Sequence, residues 1–268
     1  MQLIGQKNNL EIINKWSSLP QFLIIQGDSY TGKTSLVLYL CQKYNVHYIK
    51  MDNSIKSVRS LLNSMVKDSN TLYHFKNFDN ASIQAKNALL KITEEPIPGN
   101  YIVITGSAQL KTLESRARRI IIEPYNELEV KQYMYQYYES SIIDTLYKCG
   151  INTPGKAYKY REYEHIKQLS LYVKEIFEKI TFLTIDDIIV MLGRFEPRYE
   201  DLDACLLFLN MLINYIEYNI RTKHFYSYYT ILQILIGGKT SLVKEPTLNR
   251  KFLLYRIFYN IYLLRGQI

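Results

Sequence analysis

The sequence has few of the residues that build disulfide frameworks or metal sites. Its 268 residues include only three cysteines, Cys41, Cys149 and Cys205, which are scattered and odd in number. Such cysteines fit reduced thiols in a core better than a disulfide framework or a zinc site. The four histidines are dispersed, without the spacing of metal ligands or of a catalytic pair. We therefore expect neither a disulfide scaffold nor bound zinc.

Long apolar segments are also missing. The purely apolar runs stay far below the ~20 residues that a membrane-spanning helix needs. The first residues, Met1 to Gln6, lack a basic segment followed by an apolar stretch, which argues against a signal peptide. The sequence thus predicts a cytoplasmic protein that does not associate with a membrane.

Acidic residues are outnumbered by basic ones. The chain has 33 Lys and Arg against 25 Asp and Glu, a net charge of +8, while 47% of its residues are hydrophobic. The composition is that of a soluble globular protein. The basic excess favours contact with a polyanion such as nucleic acid, although charge alone does not decide this because many basic proteins bind none.

Short apolar runs alternate with amphipathic stretches over the first 125 residues. The predicted strands are Phe22–Ile25, Val46–Met51, Leu72–Phe75, Tyr101–Ile104 and Ile120–Ile122, and the predicted helices are Lys33–Tyr44, Ser54–Val66 and Ser82–Thr93. Strands that alternate with helices are typical of a mainly parallel sheet with helices on both faces. The predicted fold class is therefore α/β.

Beyond residue 125 the strand pattern stops and helical periodicity takes over. Breaks are predicted at Thr153-Pro154-Gly155, at Glu196-Pro197 and at Gly237-Gly238. We predict three domains: an α/β nucleotide-binding domain over 1–125, a small helical domain over 126–181 and a second helical domain over 182–268.

One loop carries a specific chemical pattern. Gly27–Thr34 matches the spacing G-x-x-x-x-G-K-[ST], directly after a predicted strand and before a predicted helix. Glycines let the backbone curl so that its N–H groups and the positive helix N-terminus face a phosphate. A lysine here reaches the terminal phosphates and a threonine hydroxyl can bind Mg²⁺. The predicted nucleotide-binding residues are Gly27, Asp28, Ser29, Tyr30, Thr31, Gly32, Lys33, Thr34 and Ser35.

Further short motifs follow in a set order along the chain. Asn87–Pro96 reads N-A-L-L-K-I-T-E-E-P, and Ser115-Arg116-Ala117 follows about twenty residues later. The other landmarks are Ile4-Gly5-Gln6, Val58-Arg59-Ser60-Leu61 and Thr153-Pro154-Gly155-Lys156-Ala157. Together with the glycine loop, this set resembles the clamp-loader AAA+ subunits, the bacterial DNA polymerase III gamma/tau and delta-prime subunits and their phage relatives. The resemblance covers residues 1–160.

The resemblance implies a P-loop AAA+ domain, then a small helical lid, then an all-helical collar that holds subunits in a ring. It makes Arg116 an arginine finger that acts in the nucleotide site of the adjacent subunit. It places Ile4 against the nucleotide and Thr105 near the first sensor position, with Ser107 as a competitor. Lys156 is either a second sensor or a solvated lysine.

The sequence departs from the family at one position. Without gaps, the family's catalytic Asp-Glu pair falls on Lys76-Asn77, which can neither bind Mg²⁺ nor accept a proton from water. A shift of two residues would make Asp79 the Mg²⁺ ligand, but we expect it to leave Lys76 and Asn77 in the last turn of a buried strand, at a desolvation cost. We therefore predict a subunit that binds ATP or ADP with Mg²⁺ but hydrolyses it poorly, as in delta-prime. Cys41 stands alone where gamma/tau subunits carry four zinc-binding cysteines.

The implied partners are other clamp-loader subunits, a sliding clamp and primer–template DNA, in a bacterium or a phage-infected cell. Candidate DNA contacts are Lys56, Arg59 and Lys67, since DNA passes near this helix in the family. Two alternatives remain open. One is a stand-alone P-loop DNA-dependent ATPase such as a helicase loader, and the other is a scaffold in which nucleotide only stabilises the fold.

Overall fold

The computed structural model describes residues 4–107, 111–163, 165–195, 198–223 and 228–264. The chain divides into two compact units, Met1–Val130 with Thr153–Lys156, and Lys131–Asn152 with Ala157–Ile268. The predicted three-domain boundaries at 125 and 181 stay a prediction. The predicted break at Glu196-Pro197 lies outside the described residues.

The first unit is built on a parallel five-stranded sheet in the order β2-β3-β4-β1-β5. Its strands are β1 Phe22–Gln26, β2 His47–Met51, β3 Thr71–Phe75, β4 Asn100–Gly106 and β5 Arg118–Ile121. All five strands were predicted within two residues of these bounds, and the parallel α/β class is confirmed. Because the strands are parallel, their carboxyl ends lie at one edge of the sheet, where open α/β sheets bind ligands.

Helices cover both faces of this sheet. The helices of the first unit are α1 Lys7–Asn14, α2 Lys33–Tyr44, α3 Ile55–Lys67, α4 Ile83–Glu94 and α5 Lys111–Glu114. Ser54 and Ser82 cap α3 and α4, since their hydroxyl oxygens accept from backbone N–H groups in the first turn. The three predicted helices correspond to α2, α3 and α4.

Alternation along β1 decides which helix packs on which face. Phe22 and Ile24 lie in a core shared with α3 and α4. Leu23 and Ile25 lie in a second core shared with α2. Successive side chains of a strand point to opposite faces, so β1 is buried on both sides and holds the loop that follows it firmly in place.

After β5 the described residues form helices and no strand. They are α6 Glu127–Met134, α7 Ser140–Lys148, α8 Pro154–Tyr160, α9 Ile166–Lys179, α10 Ile185–Phe195, α11 Leu202–Lys223, α12 Tyr229–Lys244 and α13 Arg250–Leu263. Within the second unit Phe208 of α11 packs against Phe195 of α10, with ring centroids 4.8 Å apart, and against Phe258 of α13 at 6.4 Å. No helix of the described residues is long and apolar enough to cross a membrane.

The predicted break at Gly237-Gly238 is wrong. Both glycines lie inside α12. A Cβ on Gly238 would come within 2.2 Å of Ile257 Cδ1 on α13, whereas one on Gly237 would meet nothing within 4 Å. Gly238 therefore allows close packing of two helices and does not end one.

Candidate nucleotide site

The glycine loop joins the end of β1 to the start of α2. The Gly27 N–H donates to the Gly106 carbonyl of β4 at 3.0 Å. Gly32, directly before α2, has a left-handed backbone with φ +81°, a conformation that glycine adopts without strain. The Thr31 hydroxyl donates to the Asp28 carbonyl at 2.7 Å. These bonds curl the loop at the carboxyl edge of the sheet.

Lys33 lies at the centre of this loop. Its side chain is buried, 8% exposed, and its Nζ donates to the Gly27 and Asp28 carbonyls at 2.6 and 2.5 Å. Burial lowers the pKa of Lys33, while the negative charges of Asp79 and then Asp28 oppose this shift. A cation is thus held inside the curl of the loop, with two acidic residues in its surroundings.

The residues Glu123 to Tyr125 connect the glycine loop with the segment before α1. The Tyr125 hydroxyl donates to the Thr31 carbonyl at 3.0 Å, and burial raises the pKa of Tyr125. The Gln6 side chain donates to the Glu123 carbonyl at 2.8 Å and accepts from the Glu123 N–H at 3.0 Å. Ile4, two residues earlier, is half-buried. Sequence analysis missed Tyr125, because nothing in its local pattern signals a partner 94 residues away.

The Thr153–Lys156 segment approaches the loop closely. A Cβ on Gly155 would lie 2.3 Å from the Tyr30 carbonyl oxygen, so only glycine fits without moving the backbone. Lys156 is half-buried. Burial lowers its pKa, and the charge of Asp28 opposes this. The segment therefore brings a second lysine into the electrostatic range of the loop.

The turn after β3 differs from the sequence-based expectation. β3 ends at Phe75, and Lys76 and Asn77 are exposed in the turn that follows. Asn77 has φ +53° and begins a short 3₁₀ turn, Phe78–Asn80. The premise that Lys76 and Asn77 would suffer desolvation if Asp79 served the site is thus wrong, because neither is buried.

Asp79 and Ser107 face each other across the ends of β3 and β4. The Ser107 hydroxyl donates to Asp79 Oδ2 at 2.7 Å, and its backbone N–H lies 3.4 Å from the same oxygen. The other oxygen, Oδ1, is buried and has no hydrogen-bond partner among the described residues. Asp79, the first acidic residue after β3, therefore has one carboxylate oxygen, Oδ1, that accepts no hydrogen bond from the described residues.

Thr105, the predicted first sensor, lies inside the sheet. Its side chain is fully buried, and its hydroxyl lies 3.0 Å from His74 Nε2. His74 Nδ1 lies 3.0 Å from the Tyr48 hydroxyl. Burial lowers the pKa of His74 to about 4, assisted by the charges of Lys76 and Lys50. Ser107, two residues further on, is exposed at the strand end.

Arg116 lies on the surface after α5. Its guanidinium donates to the Thr112 carbonyl and to Glu94 Oε1, each at 2.9 Å, and the two charged side chains are 37% and 52% exposed. An ion pair this exposed contributes little to stability. Its neighbours have other contacts, since Arg118 stacks on Trp16 and Arg119 pairs with Glu114.

The three candidate DNA contacts share one face of α3. Lys56, Arg59 and Lys67 are exposed, opposite the buried face formed by Val58 and Leu61. Arg59 also lines a groove of about 410 Å³ between α3 and α4, together with Gln84, Asn87 and Lys91. The helix thus presents cations to solvent.

No three His, Cys, Asp or Glu side chains among the described residues form a group that could hold a metal ion. A nucleotide-bound Mg²⁺ needs fewer protein ligands, because phosphates and waters supply the rest. The three cysteines are free and buried. Burial raises the pKa of Cys41 and Cys205 to about 11.

Solved structures share this architecture. The chain is 16% identical to a DNA polymerase III gamma subunit-related protein from Thermotoga maritima, with a TM-score of 0.53, over 96% of this chain and 98% of that one. It is 15% identical to the Thermotoga maritima RuvB Holliday junction branch migration motor, with a TM-score of 0.50, over 82% of this chain and 77% of that one. With the glycine loop directly after β1, the fold is that of an AAA+ P-loop protein.

A family model matches part of the chain. Residues 11–126, within the first compact unit, match the family described as "DNA polymerase III, delta subunit". This match to part of the chain agrees with the resemblance to clamp-loader subunits that the motifs indicate. No curated protein matches it.

Proposed function

We propose that this chain binds ATP or ADP, with Mg²⁺, at Gly27–Ser35 and acts as a subunit of a clamp loader. The observation that carries the proposal is the curled loop, which holds the Lys33 ammonium between the end of β1 and the first turn of α2. Phosphate oxygens would replace the loop carbonyls as acceptors for Lys33. The positive end of α2 adds to the attraction for phosphate.

The residues around the loop take separate roles in this proposal. Ser107 is better suited than Thr105 to be the first sensor, because its hydroxyl lies at the strand end while that of Thr105 is bonded to His74. Lys156 serves as a second sensor, and Ile4 lies against the nucleotide. Thr34 offers its hydroxyl to Mg²⁺.

Slow hydrolysis is part of the proposal. Rapid hydrolysis needs a group that orients or deprotonates the attacking water. Lys76 and Asn77 supply no carboxylate after β3, and the Asp79 carboxylate already accepts from Ser107. Nucleotide would thus serve mainly as a ligand that stabilises one arrangement of the subunit.

The proposed role in the ring uses the exposed cations. Arg116 would leave Glu94 and act on nucleotide bound to an adjacent subunit, which offsets phosphate charge in trans. Lys56, Arg59 and Lys67 would follow the phosphates of primer–template DNA. Residues 126–181 would form the lid and 182–268 the collar that joins this chain to other subunits, which together open a sliding clamp.

Two measurements test the proposal. Titration of the purified chain with fluorescent ATP and ADP should show saturable binding that Lys33→Ala abolishes. Reconstitution with clamp-loader subunits and a clamp from the same source should show clamp loading that requires this chain and Arg116. DNA-dependent turnover by this chain alone would instead support the stand-alone ATPase, and absence of nucleotide binding would reject the proposal.

A further inference from the structure

The turn after β3 contains a carboxylate oxygen without a partner. Asp79 is half-buried, and its Oδ2 accepts from Ser107 while the buried Oδ1 has no partner among the described residues. A buried acceptor without a donor or cation is unfavourable by about 1–3 kcal/mol, and more if it is charged. Such an atom is satisfied when a water, a metal ion or another ligand binds to it.

The position of this carboxylate is fixed by its neighbours. Phe78 is fully buried and packs edge-on against Phe75, with ring centroids 5.3 Å apart. The Asp79 carbonyl accepts from Lys86 Nζ of α4 at 2.7 Å. The left-handed backbone of Asn77 turns the chain so that Phe78 enters the core and Asp79 comes back to the sheet edge.

That edge is also where the glycine loop lies. Ser107 directly follows β4, which pairs with β1 so that Gln26 is opposite Gly106. The negative charge of Asp79 is the largest influence opposing the lowered pKa of Lys33. The carboxylate and the loop lysine therefore share one electrostatic environment, although Asp79 lies outside the positions that the family pattern assigns to the catalytic Asp-Glu pair.

We propose that Asp79 holds the Mg²⁺ of a bound nucleotide through its free carboxylate oxygen, directly or through a metal-bound water. This inference rests on the proposed nucleotide binding and adds the metal ligand that the motif alignment leaves missing. Magnesium is commonly held by one or two carboxylates together with phosphate oxygens and waters. The Thr34 hydroxyl and Asp79 supply such a set without the residues directly after β3.

The competing explanation gives Asp79 no metal. It would then serve only as an acceptor for Ser107 and as a counter-charge to Lys33. The two explanations differ in one property: only a metal ligand changes the dependence of nucleotide affinity on the divalent cation.

The test compares Asp79→Asn with the control Asp52→Asn. Asp52 directly follows β2 at the same edge of the sheet, and it is exposed. Binding of Mn²⁺ in the presence of ADP would be measured by electron paramagnetic resonance, and ADP affinity would be measured in Mg²⁺ and in EDTA. We expect Asp79→Asn to weaken Mn²⁺ binding by about tenfold or more. ADP affinity in EDTA should not fall, because removing the negative charge of Asp79 does not weaken the attraction of Lys33 for phosphate, and Asp52→Asn should change neither quantity.

Each result has a distinct meaning. Unchanged Mn²⁺ affinity in Asp79→Asn would overturn the role of Asp79 while nucleotide binding stands. No ADP binding by the wild-type chain in either buffer would overturn both proposals.

A second test, iron-mediated cleavage of the backbone, uses only the wild-type chain and so does not require a variant to fold. With ADP, Fe²⁺, ascorbate and peroxide, we expect backbone cleavage near residues 34 and 79. Cleavage near residue 34 without cleavage near residue 79 would contradict the inference.

Discussion

The loop after β1 and the turn after β3 lie at the same edge of the sheet, but they differ in how closely they follow the family's sequence pattern. The loop, Gly27–Thr34, follows its motif at every defined position, and the turn, Lys76–Asn80, departs from the family pattern. In loops of this pattern the backbone N–H groups bind phosphate, which fixes the glycine positions and their spacing. In the turn a single side chain is proposed to bind the metal ion, and the 3₁₀ turn places its carboxylate three residues after Lys76.

The largest effect is expected at the loop. Lys33→Ala removes charge-assisted bonds to the terminal phosphates, each of about 1.5–3 kcal/mol, so nucleotide affinity should fall by about 100-fold or more. Isothermal titration would measure the loss. Lys43→Ala, in the same helix, is the control and should bind like the wild type. Equal losses in the two variants would mean that the loop is not the binding site.

The free energy of unfolding should depend on pH through His74 of β3, the strand before the turn. The pKa of His74 is about 4 in the folded chain against an ordinary 6.5, because burial disfavours the charged imidazole. Between pH 6.5 and pH 4, the His74 imidazole takes up a proton in the unfolded chain but not in the folded chain. The contribution to stability is therefore complete above pH 6.5 and falls by about 3 kcal/mol as the pH drops to 4.

Urea unfolding at pH 7, 5.5 and 4.5 would measure this slope. His74→Gln should flatten it, and His47→Gln, which changes an exposed histidine of β2, should leave it unchanged. Identical slopes in all three proteins would show that His74 titrates normally.

The next effect concerns the segment that approaches the loop. Gly155→Ala places a Cβ against the Tyr30 carbonyl, and crowding of this kind lowers the free energy of unfolding by about 1–3 kcal/mol. Nucleotide affinity should fall as well, because Tyr30 belongs to the loop. Thermal denaturation would measure the first and titration the second.

Gly237→Ala provides the matched control, since its Cβ meets nothing within 4 Å. Alanine is preferred over glycine in a helix by about 0.5–1 kcal/mol. This variant should therefore be slightly more stable than the wild type. A Gly155→Ala variant with the same gain would contradict the close approach of that segment to the loop.

The smallest effect on the isolated chain is expected for Arg116→Ala. Its ion pair with Glu94 is exposed, so the free energy of unfolding should change by less than about 1 kcal/mol. Nucleotide affinity of the isolated chain should stay the same, because Arg116 is proposed to act on a neighbour. A large loss of stability would instead assign Arg116 a structural role.

Much of the first unit could be predicted because its signals are local. The five strands and α2, α3 and α4 follow from apolar periodicity, serine caps and a spaced glycine motif. α1 and α5 were missed, since both are short, at eight and four residues. Gly238 was misinterpreted as a break because the sequence does not reveal that Ile257 packs against it.

The sequence by itself determined the glycine-loop motif, the order of strands and helices and the resemblance to clamp-loader subunits, because each depends on residues close together in the chain. Only the tertiary structure brought Tyr125 to Thr31, Gly155 to Tyr30 and Ser107 to Asp79. These contacts join residues that are 28 or more positions apart. The Tyr125 and Ser107 contacts arise because parallel strands bring their carboxyl ends to one edge, an arrangement that local periodicity does not specify.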